Sequence, residues 1–261
     1  MSDKHRLELI KRYFRQQREL FGDEVWSSGV KNFVEARRSE PPVKKRRAAE
    51  VKASTKPAVP ADSRTQPLFI GGDNPGLRSF YHQIKDCLEC SLGRVRTNFV
   101  FGAGNPNADL LFVGEAPGYN EDQKGEPFVG RAGKLLDKLL ADVGLDRSKV
   151  YIANILKCRP PQNRDPNPLE VASCIPYLKK QIELIRPEII VALGRVAGQT
   201  LLNTTIPIGK LRGSLYQFQG IDLIVTYHPA ALLRNNRLID PANDDLQRML
   251  RLYHEKREEK E

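Results

Sequence analysis

The sequence has no long apolar run, and this absence limits the class of protein it encodes. No stretch approaches the roughly 18 apolar residues that a membrane-spanning helix requires. The first residues, MSDKHRLELIKRYFRQ, also lack the apolar core of a signal peptide. We therefore expect a soluble, cytoplasmic protein that makes no membrane contact.

Histidine and cysteine are scarce. With four histidines, at positions 5, 82, 228 and 254, no Ser, His and Asp set stands out. Nucleotide hydrolysis is also excluded: residues 125–130 have the glycine spacing of a phosphate loop, but Arg131 and Ala132 stand where Lys and Ser or Thr are required. In a reducing compartment, the four cysteines fit metal ligands or plain core residues better than disulfides.

Positive charge is concentrated in an amino-terminal extension. Residues 1–66 contain 16 Lys and Arg against 9 Asp and Glu, so they hold +7 of the total charge of +10. Residues 3–21 repeat apolar side chains at helical spacing and predict an amphipathic helix. Residues 40–60 have almost no large apolar side chains and predict a flexible basic linker. We therefore predict an extension over residues 1–66 and a folded domain over residues 67–261.

Strand-like and helix-like patterns alternate within the predicted domain. The predicted strands cover residues 109–113, 149–156, 188–193, 214–218 and 221–226. The predicted helices cover residues 79–88, 132–143, 168–186, 195–202 and 241–255. Repeated β-then-α units with short connections predict an α/β fold, a three-layer α/β/α sandwich with a mainly parallel central sheet. The site of such a sheet lies at the carboxyl ends of its strands.

Three loops at that edge carry polar side chains, namely Glu115, Asn154 and His228. The first loop belongs to the segment LLFVGEAPGYNEDQKGEPFVG, residues 110–130. In it a buried strand ends at Gly114, a carboxylate lies beside backbone amides freed by glycine, and Phe128 follows. This loop suits a flat polar ring. The alternatives are a tight turn with a core Phe and, for His228, a structural hydrogen bond.

The cysteines form a pattern of their own. Cys87 and Cys90 make a C-x2-C turn, and Cys158 and Cys174 follow, separated by 15 residues. A C-x2-C turn preorganises two thiolates for one metal, and the second pair completes a four-thiolate site for iron-sulfur or zinc. The spacing does not choose between these metals, and unligated core cysteines remain the alternative.

Several segments together carry a resemblance to a known family. They are GEAPG at 114–118, GEPFVGRAGKLL at 125–136, NILKCRPPQNR at 154–164 and HPAALLRN at 228–235. With the cysteine arrangement, they closely resemble the iron-sulfur-containing uracil-DNA glycosylases of family 4, over about residues 77–235. The resemblance implies a monofunctional enzyme that flips uracil out of single- or double-stranded DNA and hydrolyses the N-glycosidic bond, leaving an abasic site. It also implies a [4Fe-4S] cluster on Cys87, Cys90, Cys158 and Cys174. We expect the protein to be a monomer.

The resemblance also implies roles for individual residues. Phe128 matches the ring that stacks on uracil. Asn154 matches the amide that reads its Watson-Crick edge, and His228 matches the residue that hydrogen-bonds uracil O2. Backbone groups of residues 114–116 (Gly114, Glu115 and Ala116) line the same pocket.

Four further residues are assigned by the same comparison. Ala116 stands where a better-known glycosylase family has an Asp, so Glu115 becomes the candidate for orienting water. Glu121 is expected to shape the pocket against the thymine methyl. Leu232 matches a wedge that fills the gap left by a flipped base, with ordinary loop packing as the alternative. Arg234 is expected to bind a neighbouring phosphate.

Two competing interpretations remain. One is a related protein that traps the sugar covalently through a loop histidine, but the loop RPPQNRDPNPLEVAS, residues 159–173, contains no His. The other is a non-enzymatic iron-sulfur module that binds nucleic acid. Excision of uracil by the pure protein separates these classes.

Overall fold

One mixed sheet of six strands organises residues 73–259, the part of the chain that the computed structural model describes. The strands are β1 Ala103–Gly104, β2 Leu110–Gly114, β3 Val150–Asn154, β4 Ile189–Leu193, β5 Leu215–Phe218 and β6 Ile221–Thr226. Their order across the sheet is β1-β3-β2-β4-β6-β5. The four inner strands run parallel and the two edge strands run antiparallel to their neighbours. The predicted mainly parallel sheet is confirmed.

Helices cover both faces of this sheet. They are α1 Pro75–Ile84, α2 Tyr119–Lys124, α3 Arg131–Asp142, α4 Pro168–Ile185, α5 Arg195–Leu202, α6 Ile208–Leu211, α7 Pro229–Leu232 and α8 Ile239–Glu258. Short 3-10 turns lie at Ser91–Arg94, Pro161–Asn163 and Asn236–Leu238. No helix within residues 73–259 is long and apolar enough to cross a membrane.

Two hydrophobic cores lie on opposite faces of the sheet. In β2, Leu111 and Val113 belong to one core and Leu110 and Phe112 to the other. The first core also takes buried side chains of α1, α4 and α5, and the second takes those of α3 and α8. Because side chains alternate along a strand, a strand covered on both faces is apolar throughout. The predicted three-layer α/β/α sandwich is confirmed.

Helix boundaries follow local capping signals. Asn167 caps α4: its Oδ1 accepts from the amide of Glu170 at 2.8 Å, and Pro168 occupies the first turn. The same Asn-Pro signal at Asn74 and Pro75 starts α1, where Asn74 Oδ1 accepts from the amide of Leu77 at 3.0 Å. The predicted start at residue 79 was therefore wrong, because this cap was overlooked.

Strand register brings the ends of four strands to one edge. Gly114 pairs with Asn154 across β2 and β3, and Leu193 pairs with Thr226 across β4 and β6. The residues that follow each strand therefore meet at the same edge. The predicted helix over residues 3–21 and the linker over residues 40–60 lie outside the described residues.

Candidate active site

A cleft of about 590 Å³ opens at the carboxyl ends of the parallel strands. The loops after β2, β3 and β6 line it, as the sequence predicts. The loop after β4, which begins at Gly194 and Arg195, lines it as well and was not predicted. The predicted site residues that line the cleft are Glu115, Ala116, Glu121, Phe128, Asn154, His228 and Arg234.

Asn154 lies at the floor of the cleft, as the last residue of β3. Its side chain is only 2 % exposed, and its Oδ1 has no hydrogen-bond partner among the described residues. A Cβ at Gly114 would lie 2.4 Å from this oxygen and 2.6 Å from Cζ of Phe128. Glycine is therefore needed at position 114, because the amide and the ring both approach its backbone. A buried acceptor without a partner is costly unless a ligand donates to it.

Phe128 is held in an unusual backbone conformation. Its φ of 55° lies in the left-handed region, which non-glycine residues rarely adopt. Glu121 stabilises this turn, since its Oε1 accepts from the amides of Val129 at 2.9 Å and Gly130 at 2.8 Å. Arg147 donates to the carbonyl of Phe128 itself. Strain that is fixed by surrounding contacts is characteristic of ligand-binding positions.

Glu121 also has a supporting role that was not predicted. Its second oxygen, Oε2, accepts from the amide of Gly118 at 3.1 Å. One carboxylate thus joins the turn after β2 to the turn that carries Phe128. It lines the cleft, but these hydrogen bonds make it a support for the loop.

His228 follows β6 and caps α7. Its Nδ1 accepts from the amide of Ala230 at 3.1 Å, so the proton of the neutral ring lies on Nε2. Burial, reinforced by the charge of Arg234, lowers the pKa of His228 to about 4. The ring is therefore neutral at physiological pH and offers an N–H donor. Its centroid lies 5.5 Å from that of Phe128.

Gly194 makes room for His228 and was not predicted from the sequence. A Cβ at this residue would lie 2.7 Å from Cβ of His228, and its φ is 96°. The strand β4 thus ends in a residue whose missing side chain makes room for the imidazole. The sequence signal for this position is a glycine directly after an apolar strand.

Glu115 has a raised pKa. Burial is the main cause, and the nearby carboxylate of Asp165 adds to it, while Arg195 acts in the opposite direction. Arg195 and Asp165 form an ion pair at the rim of the cleft. Neither residue of this pair was predicted, because they come from loops distant in sequence.

Leu232 lies where the alternative of ordinary packing places it, and not where a wedge would lie. It is 0 % exposed and packs in the core beneath α7, because that side of the one-turn helix faces α3. A wedge side chain must be exposed to reach the base stack of the DNA, and Leu232 is not exposed in this conformation. The next residue, Leu233, is 40 % exposed. Arg234 lines the cleft as expected.

The four cysteines lie outside the cleft, near the segment that follows β3. Cys158 and Cys174 are buried, and Cys87 and Cys90 pack against the same core. Arg96 joins the two pairs, since its Nη1 donates to Sγ of Cys158 at 3.3 Å and to the carbonyl of Cys87 at 2.6 Å. Burial raises the pKa of Cys158 to about 11 and that of Cys174 to about 12. The thiolates therefore need positive charge to form.

Lys157 lies between the cysteines and Asn154 and was not predicted. It is fully buried, and its Nζ donates to the carbonyl of Asn154 at 2.9 Å and to Oε1 of Gln181 at 2.6 Å. Its amide donates to Sγ of Cys174 at 3.2 Å. Nothing in the sequence distinguishes this lysine from a surface residue.

Comparisons with known proteins agree with this geometry. A family model for the uracil DNA glycosylase superfamily matches residues 101–250. The Type-4 uracil-DNA glycosylase of Archaeoglobus fulgidus is 46% identical over 183 residues, which are 66% of this chain and 91% of that protein. The Type-4 enzyme of Thermotoga maritima is 47% identical over 155 residues, 59% of this chain and 81% of that protein.

A third relative gives the same result. The Type-4 uracil-DNA glycosylase of Saccharolobus solfataricus is 46% identical over 176 residues, which are 64% of this chain and 82% of that protein. The family seen in the sequence motifs is thus confirmed: the chain belongs to the uracil DNA glycosylase superfamily.

Proposed function

We propose that the protein is a monofunctional uracil-DNA glycosylase, which flips uracil out of DNA and hydrolyses the N-glycosidic bond, leaving an abasic site for base excision repair. The observation that carries the proposal is the buried Oδ1 of Asn154, which has no hydrogen-bond partner within residues 73–259 and lies beside the ring of Phe128. The Type-4 uracil-DNA glycosylases to which the chain is similar support the same reaction.

Asn154 reads the base edge. Its Oδ1 accepts from uracil N3–H, and its NH2 group donates to uracil O4. Cytosine presents the opposite polarity, with an acceptor at N3 and a donor at N4. A buried amide that is left unpaired by the wrong base discriminates by several orders of magnitude.

Phe128 supplies the stacking surface for the flipped ring. Gly114 leaves the space in which the base, the ring and the amide of Asn154 meet. Glu121 fixes the turn of Phe128 and so sets the width of the pocket at the position where thymine carries its methyl group. The backbone of residues 114–116 forms the adjoining wall.

His228 acts on the leaving group. Cleavage of the bond from C1′ to N1 builds negative charge on uracil, and the Nε2–H of His228 donates to uracil O2. A neutral donor placed where charge develops stabilises the transition state by about 3 kcal/mol. The hydrogen bond from Ala230 fixes the tautomer that this role requires.

Glu115 orients the attacking water. Ala116 offers no carboxylate, whereas Glu115 lines the cleft, and burial raises its pKa, which makes it a better proton acceptor than an ordinary Glu. Its ionised form also stabilises the positive charge that develops on the sugar.

Cys87, Cys90, Cys158 and Cys174 hold one [4Fe-4S] cluster in this proposal. The cysteines pack against one core, and Arg96 contacts a member of each pair. A cluster held by four thiolates uses all four of them. The resemblance of the cysteine arrangement to that of the iron-sulfur-containing family supports a cluster over zinc. When bound, it ties the loop after β3 to α4.

The substrate is uracil-containing DNA, single- or double-stranded. Arg234 at the cleft rim contacts a phosphate, and the extension with its net charge of +7 adds sequence-independent affinity. Leu233, exposed beside the buried Leu232, is the side chain available to fill the gap in the base stack. The domain boundary near residue 67, the monomeric state and the cytoplasmic location stay predictions from the sequence.

One experiment tests the proposal and its rivals. The purified protein is incubated in excess with an end-labelled oligonucleotide that contains one uracil, and with a thymine control. Release of free uracil and an alkali-sensitive abasic site are expected. DNA that migrates covalently attached to protein identifies a trapping relative, and DNA binding without either product identifies a non-enzymatic module.

A further inference from the structure

Tyr119 is an exposed aromatic ring at the rim of the cleft. It lines the cleft and is 57 % exposed. Of the large apolar and aromatic side chains left exposed within residues 73–259, it is the only aromatic one. Aromatic side chains with a polar tip are enriched at binding surfaces, and this one lies in the cleft itself.

One face of this ring is occupied by an arginine. The guanidinium carbon of Arg159 lies 5.1 Å from the ring centroid, within the range of a cation–π contact. Nε of Arg159 donates to Oδ1 of Asn163 at 2.7 Å, which holds the guanidinium in place. Gln162 and Asn163 both have left-handed φ values, 56° and 54°. The turn behind the ring is therefore strained and fixed by its contacts.

The turns that carry Tyr119 and Phe128 are joined by the same carboxylate. Tyr119 begins α2 directly after Gly118, whose amide donates to Oε2 of Glu121. Oε1 of Glu121 accepts from the two amides that follow Phe128. One side chain thus joins the backbone turns that carry Tyr119 and Phe128. The cleft accordingly presents two aromatic rings on a common support.

We propose that Tyr119, supported by Arg159, stacks on the base of the nucleotide adjacent to the flipped uracil. This inference rests on the proposed function and adds a second base-binding subsite to the same cleft. An aromatic ring stacks on any base, because every base has a π-face, so the subsite recognises an unstacked nucleotide without reading its identity. Since the ring is held in place, little conformational entropy is lost on binding.

The subsite also distinguishes two forms of DNA. In a duplex the neighbouring base stays paired and stacked within the helix, whereas in a single strand it is free to stack on Tyr119. The contribution of Tyr119 is therefore larger on single-stranded substrates.

A cycle of protein and substrate changes tests this subsite. Uracil excision is measured for the full-length wild type, Tyr119→Ala and Tyr119→Phe, with Leu215→Ala as a control for loss of an exposed side chain outside the cleft. The substrates are single-stranded oligonucleotides with one uracil, in which the 5′ or the 3′ neighbour is either a normal nucleotide or tetrahydrofuran, which lacks a base. Initial rates give kcat and KM separately.

We expect Tyr119→Ala to lower kcat/KM about 10-fold on the normal single strand, mainly through KM, and Tyr119→Phe to keep the wild-type value. Removing the neighbouring base on one side of uracil should lower the kcat/KM of the wild type by a similar factor. The same change should leave the kcat/KM of Tyr119→Ala unaltered. Equal losses for Tyr119→Ala on all substrates, or no loss at all, overturn the inference.

A binding measurement separates this inference from the proposed function. The probe is a single strand with tetrahydrofuran in place of uracil and 2-aminopurine beside it, so no excision takes place. Stacking on Tyr119 should quench the 2-aminopurine fluorescence in the wild type and in Tyr119→Phe, and less in Tyr119→Ala. Equal quenching by all three proteins overturns the subsite even where uracil is excised normally, whereas absence of excision with the expected quenching overturns the enzymatic function alone.

Discussion

The pocket around Asn154 and the region around the four cysteines both begin at the end of β3, but their polar groups are satisfied differently. In the pocket, hydrogen bonds within the protein already hold Glu121 and Nδ1 of His228, and Oδ1 of Asn154 is left for a ligand. Around the cysteines, Arg96 and the amide of Lys157 each donate to a sulfur, yet burial still raises the pKa of both thiols.

The difference indicates what each region needs. The pocket is complete before substrate binds, because its supporting groups find partners in the protein. In the proposed function, the cysteines bind a cluster as thiolates, and metal binding by thiolates is coupled to folding. Changes in the pocket should therefore alter chemistry first, while changes at the cysteines should alter stability first. Lys157 contacts both regions, so loss of structure around the cysteines should also disturb the pocket around Asn154.

The largest effect should come from Asn154→Asp. This change keeps the side-chain shape but replaces the NH2 donor with an oxygen, which repels uracil O4. We expect single-turnover uracil excision to fall at least about 1,000-fold. Cytosine excision, if gained, should be weak and favoured at low pH, because a second hydrogen bond to cytosine requires a protonated carboxyl or a protonated N3.

The matched control is Asn107→Asp, which makes the same chemical change on an exposed residue at the other end of β2. Asn107→Asp should melt near the wild-type temperature, and Asn154→Asp should melt lower, because it buries a carboxylate, but stay folded at the assay temperature. Wild-type excision of uracil by folded Asn154→Asp shows that Asn154 does not read the base.

The second effect in size should be loss of stability in Cys174→Ser. Removing one ligand releases the tie between α4 and the loop after β3, and we expect the free energy of unfolding to fall by about 3 kcal/mol. The wild type should be brown and contain about four irons per chain. Iron content and thermal melting check this, with Ser91→Ala in the neighbouring turn as a control. A colourless protein that contains one zinc after anaerobic purification contradicts the cluster.

His228→Ala should have a smaller effect, and on chemistry alone. The hydrogen bond to uracil O2 strengthens as charge develops, so its loss belongs to the transition state. We expect the single-turnover rate to fall about 100-fold while affinity for uracil-containing DNA changes little. A quenched time course of excision measures the single-turnover rate, and fluorescence anisotropy measures the affinity for DNA. Weakened binding with an unchanged rate makes His228 a structural residue.

The fold was predictable because its signals are local. Continuous apolar runs marked β2, β3 and β4, and their endings at polar or glycine residues placed the loops that line the cleft. Motifs for the pocket were visible for the same reason, since each lies within one loop.

Features that depend on contacts between distant segments were not predictable. The buried place of Leu232 depends on packing against α3, and the tautomer of His228 depends on the path of α7. The sequence predicts Lys157 to be a surface residue, and it is buried only because the helix that carries Gln181 packs over it. The stack of Tyr119 on Arg159 joins two loops separated by β3.

The smallest predicted effect concerns the pH dependence of excision, and it distinguishes two titratable groups within the pocket. Glu115 must be ionised to accept a proton from water. Because burial raises its pKa, protonation begins at a higher pH than for an ordinary Glu, whose pKa is about 4.3. The single-turnover rate should therefore fall as pH decreases through this raised value, by up to about 10-fold per pH unit.

His228 should not contribute to that decrease until lower pH, since its pKa is about 4 and its neutral form persists above this value. Glu115→Gln should remove the acid limb and leave a lower rate that does not vary between pH 5 and 8, whereas His228→Ala should keep the limb at a reduced rate. The measurement is the single-turnover rate against pH for the three proteins. If the rate instead rises as pH falls toward 4, the imidazolium form of His228 is the active one, and the neutral tautomer selected by the hydrogen bond from Ala230 is not the donor to uracil O2.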